Sequence, residues 1–89
     1  MAEISVAKLS DETFRVVVAE GSGSTTHEVT ATAGDVQRYA GDAAPEALLE
    51  ASFRFLLERE PKEAILRRFD LPVIERYFGD YARVIANYL

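Results

Sequence analysis

The chain has 89 residues, 15 acidic against 10 basic for a net charge of −5, and no cysteine. That length fits one domain, the acidic balance weakens whole-molecule attraction to phosphate backbones or anionic lipid, and the missing thiols exclude disulfides, thiolate metal sites and cysteine nucleophiles. With 48% hydrophobic and 28% charged residues, no apolar run near the ~18 residues of a membrane span and no apolar h-region at the start, a folded cytoplasmic protein is expected, with no membrane role.

Glu3–Leu9 reads as a strand, Ile4 and Val6 facing one way and Glu3 and Ser5 the other. Ser10-Asp11-Glu12 is a polar turn. Thr13–Glu20 is rich in β-branched residues and carries Phe14, Val16 and Val18 on one face. Gly21-Ser22-Gly23-Ser24 then supplies a hairpin loop. Thr25–Thr32 completes an antiparallel meander, with His27, Val29 and Ala31 on one face and Thr26, Glu28, Thr30 and Thr32 on the other.

Thr32 and Asp35 are spaced as an N-capping box, so a short helix is expected over Gly34–Ala40, closed by Gly41. Pro45–Glu60 is the central helix. Its Leu48, Leu49, Ser52, Phe53, Phe55, Leu56 and Leu57 sweep an arc wider than the ~100° stripe of a surface helix. A helix that apolar needs cover from two directions. Pro45 suits its first turn, Ala44 is a poor N-cap, and Pro61 ends it.

Three short helices are expected to follow. Pro61–Phe69 buries Ala64, Ile65 and Phe69, with Leu66 in support. Leu71–Phe78 is capped by Asp70 and offers Val73, Ile74, Tyr77 and Phe78 for burial, and a last helix capped by Asp80 places Tyr81, Val84, Ile85 and Tyr88 at i, i+3, i+4 and i+7. All are too short to stand alone. The expected fold is a single α+β domain over 1–89, a three-stranded meander (3–32) followed by a helical half (34–89).

The segment EASFRFLLEREPKEAILRRFDLPVIERYF, residues 50–78, resembles the signature of a family of short, uncharacterised bacterial proteins. The resemblance implies the same helical architecture and carries no activity, ligand or catalytic residue. Where that pattern leads one to expect serine before Pro45, this chain has Ala44.

Candidate chemistry is sparse. His27 is the sole histidine, and no second imidazole or thiol supports a zinc site. No spacing makes a triad of His27 with Ser24, Thr25 or Glu28, so a histidine at a strand edge is the simpler reading. The glycine-serine loop joins strand to strand rather than strand to helix, and so is a turn rather than a phosphate cradle. Ser52, alone in the apolar arc, is expected to bond back to the Leu48 carbonyl. Acidic pairs such as Glu58/Glu60 and Asp11/Glu12 read as solvated faces. No catalytic residue, cofactor or metal is expected.

Two binding readings remain. Arg54, Arg59, Lys62, Arg67, Arg68, Arg76 and Arg83 interleave with aromatics, and the helices flanking Asp70 outline a helix-turn-helix. Eight acidic residues within 45–89 offset those seven cations, which makes nucleic-acid binding the alternative. The leading expectation is a small non-enzymatic interaction module whose partner is another protein or a second copy. Its candidate interface is Arg76, Tyr77, Tyr81 and Tyr88, together with an edge strand around Thr26, Glu28 and Thr30.

Overall fold

A computed structural model describes residues 2–89. The sheet has four strands, not three, in the order β1 (Glu3–Lys8), β2 (Thr13–Glu20), β3 (Gly23–Thr30) and β4 (Arg68–Asp70). The first three form the expected antiparallel meander, with Val6 opposite Val16 and Val16 opposite His27. The β2–β3 turn is tighter than the four-residue loop expected. Glu20 pairs with Gly23, and only Gly21 takes a positive φ, of 63°. That pattern suits a two-residue turn with glycine first.

The fourth strand corrects the reading of Pro61–Phe69 as a helix. Lys62–Ala64 makes one 3₁₀ turn, the chain then extends, and Arg68–Asp70 pairs in parallel with Glu28–Thr30. Ile65 and Phe69 lie four apart, a spacing shared by a helical face and a period-two strand. Phe69, Asp70 and Leu71 resolve the ambiguity, being buried, exposed and buried in turn. A parallel neighbour requires a crossover, and the helical excursion between β3 and β4 supplies it.

Helix α1 (Ala33–Ala40) starts on the anticipated box: the Asp35 amide donates to the Thr32 hydroxyl at 3.1 Å, and the Thr32 amide donates to the Asp35 carboxylate at 3.0 Å. Helix α2 (Pro45–Leu57) is three residues shorter than expected. The Leu56 carbonyl accepts from both Arg59 and Glu60, so the chain is already turning before Pro61. Asp70 does not cap the next helix; it belongs to β4, and α3 (Val73–Tyr77) begins after Pro72. Asp80 precedes α4 (Tyr81–Val84) without capping it, because its carboxylate accepts from Arg59 at 2.8 Å. A 3₁₀ turn over Ile85–Tyr88 ends the chain.

The two-sided cover of α2 is as its arc demanded. Phe53 faces the sheet, with its ring 5.2 Å from His27 and 6.1 Å from Phe69. Phe55 faces the helical cap, 5.2 Å from Tyr81, 5.8 Å from Tyr88 and 5.9 Å from Phe78. Two residues apart on a helix means about 200° of rotation, which sends the neighbouring phenylalanines into opposite layers. Ser52 donates to the Leu48 carbonyl at 2.7 Å, as expected.

Candidate functional site

An apolar groove lies where the end of α2 meets the 65–69 segment and α3. Its floor is Leu56, Ile65, Phe69 and Ile74, and its banks include Leu66 and Tyr77. Leu66 is 47% exposed and Tyr77 69%, two of the four large apolar side chains left in solvent among the described residues. The bend at Ile65, extended at ψ 133°, turns the chain out of its 3₁₀ turn and carries Leu66 to the surface. The notch is open to solvent and offers about 30 Å³, far below the ~300–1,000 Å³ of a small-molecule pocket. The groove suits one inserted side chain.

One carboxylate, that of Glu60, lines it. Burial raises the Glu60 pKa above its ordinary value, and among the described residues Glu60 makes neither an ion pair nor a side-chain hydrogen bond. An apolar notch beside an unpaired, part-desolvated carboxylate favours a cation carried next to an apolar group.

The expected interface residues fall on four different elements. Arg76 and Tyr77 are exposed at the end of α3, and Tyr77 belongs to the groove. Tyr81 corrects the expectation: it is fully buried, its ring 4.9 Å from Tyr39, and it serves as core. Burial also raises its pKa. Tyr88 is half-buried, packs on Phe55 and donates to the Glu58 carboxylate. Thr26, Glu28 and Thr30 share the outer face of β3. Two of these three positions are taken along that edge: the Glu28 amide donates to the Arg67 carbonyl, the Leu71 amide donates to the Thr30 carbonyl, and Glu28 pairs with Arg68 at 3.5 Å.

Helical spacing places Leu66 with the buried set, and the pairing with Glu58 reads Glu60 as part of a solvated face, so neither is legible in the sequence as part of a groove. The signal for Leu66 is its place before Arg67-Arg68 in a segment that is not a helix. Lys62 was also missed. Its side chain is 9% exposed, and its ammonium lies 2.8 Å from Glu63 and 4.0 Å from Glu20. It lies against Gly23, where an added Cβ would sit 3.7 Å from its Nζ.

His27 is core rather than strand edge. It is fully buried, its Nδ1–H donates to the Leu66 carbonyl at 2.8 Å, and its Nε2 accepts from the Thr25 hydroxyl at 2.8 Å. A carbonyl can only accept, so Nδ1 must carry the proton in the neutral ring. Burial lowers its pKa, the Leu66 carbonyl opposes that, and the nearby Arg67 charge adds to it. Both ring nitrogens are engaged, and the ring locks β3 to the returning chain.

Other features offer less. Among the described residues no group of three or more His, Cys, Asp or Glu side chains could hold a metal ion, and no helix is long and apolar enough to cross a membrane. A wider depression of about 490 Å³ lies beside Asp11, Glu12 and Asp42, a solvated acidic surface without an exposed large apolar side chain. The helix-turn-helix outline is gone with the 61–69 helix. Arg54, Arg59, Lys62 and Arg68 are paired with carboxylates of the chain. No family model, curated protein or solved structure matches the chain.

Proposed function

We propose that this protein is a small non-enzymatic cytoplasmic interaction module whose groove beside Tyr77 takes a segment of another protein. The observation that supports this reading is the pairing of Leu66 and Tyr77, two large apolar side chains in solvent on the banks of one apolar notch. Exposed apolar surface with a polar rim is characteristic of docking sites. Glu60 selects the occupant: an apolar side chain flanked by lysine or arginine, which fills the notch and neutralises the carboxylate. The net charge of −5 favours the approach of such a segment.

Panning a random peptide display library against the immobilised protein tests the reading. Selected peptides should carry a large apolar residue next to a cation. They should bind Tyr77→Ser at least ~10-fold more weakly, a loss of about 1.4 kcal/mol, and should bind Leu9→Ser unchanged. Peptides indifferent to Tyr77→Ser, or enriched in acidic residues, would overturn it.

A further inference from the structure

β4 covers β3 over Glu28–Thr30, whereas β1 lies at the other edge of the sheet along all six of its residues, and we infer that a second copy of the chain pairs with it. Backbone alternation identifies the free groups. Leu9 donates to the Thr13 carbonyl, and Glu28 and Thr30 turn their backbone groups toward the β4 side. The odd-numbered residues of β1 therefore bond to β2, while Ile4, Val6 and Lys8 direct their N–H and C=O groups outward. Six residues, EISVAK, form this edge without proline. Charge is confined to its ends, so the usual blocks against edge pairing are absent from its middle.

The strand is complementary to itself. In a two-fold antiparallel pair, opposing residues share a face, which restricts the possible registers. With Ser5 opposite Ser5 of the copy, Ile4 meets Val6 on the inner face and Glu3 meets Ala7 on the outer face. No like charges then oppose each other. Ile4 and Val6 are only partly buried in the single chain, although they lie opposite the fully buried Val18 and Val16, and this pairing extends their apolar row across the two-fold axis. The register with Val6 opposite Val6 instead sets Lys8 against Ile4 on the inner face, which disfavours it. One continuous eight-stranded sheet results, four strands from each copy. This inference is independent of the groove.

Native mass spectrometry across a concentration series, combined with residue-level amide exchange, tests it. A dimer is expected in which the Ile4 and Val6 amides exchange slowly, while Val6→Pro is monomeric because its lost N–H faces outward. If Val6→Pro does not fold, Ile4→Lys in the same assay and wild-type exchange decide the matter. A monomer at every concentration would overturn the inference. So would a dimer with fast exchange at Ile4 and Val6, and so would one abolished by Tyr77→Ser, which places the contact at the groove.

Discussion

The Tyr81 hydroxyl lies 2.6 Å from Ser52 Oγ inside the core, and because Ser52 donates its own proton to the Leu48 carbonyl, Tyr81 is the donor to Ser52. This chain of two bonds ties the helical cap to α2 at a point where both residues are fully buried. Ser52→Ala strands a buried tyrosine hydroxyl and should cost about 1–3 kcal/mol, whereas Tyr81→Phe leaves Ser52 bonded to Leu48 and should cost about 0.5–1.5 kcal/mol. The double variant should lose less than the sum of the two. Urea unfolding of the four proteins measures this, and strict additivity would show that the bond contributes nothing.

His27 makes stability depend on pH with a defined sign. Its folded pKa lies below the ordinary 6.5, because burial disfavours the charged ring. The unfolded chain therefore binds the extra proton first, and the stabilisation present above about pH 6.5 is lost as pH falls toward the folded pKa. Urea midpoints measured from about pH 7.5 down to 5.5, above the carboxylate range, should fall for the wild type. They should stay nearly flat for His27→Gln, whatever its absolute stability.

Helix α2 begins on Ala44, which has extended geometry (φ −66°, ψ 144°) and no side-chain cap bond. Ala44 is exposed, so a hydroxyl fits there without repacking. Ala44→Ser should stabilise the fold by about 0.5–2 kcal/mol, read as a higher urea midpoint at unchanged slope. Thr32→Ala should move the midpoint the other way by a similar amount, since it removes a cap bond that is formed.

Tyr77 separates stability from binding. An exposed side chain with no hydrogen bond to the fold should be replaceable by serine within about ±0.5 kcal/mol, and its thermal transition should overlay that of the wild type. A large loss of stability in Tyr77→Ser would show that the ring belongs to the core and would remove the basis for a docking role.

Local pattern was enough for the meander, the capping box at Thr32 and the two-sided burial of α2. Alternation in Phe14-Arg15-Val16, the spacing of Thr32 and Asp35, and the wide arc from Leu48 to Leu56 are each read within a few residues, and each states its own period. The 61–71 segment was not legible in that way. Ile65 and Phe69 satisfy both helix and strand, and only the unpaired edge of β3, some forty residues earlier in the chain, chooses between them by offering Glu28 and Thr30 as partners. That one pairing turned a helix into β4, carried Leu66 to the surface, buried the ring of His27 beneath it and covered β3 over Glu28–Thr30. Whether an aromatic is core or surface was likewise decided by tertiary packing: Tyr77 and Tyr81 are four residues apart, but only Tyr81 finds Ser52 and Phe55 to close over it. Sequence alone determined which segments could bury a face; the folded chain determined which backbone edges remained free, because hydrogen-bond partners distant in sequence are assigned only when the layers meet.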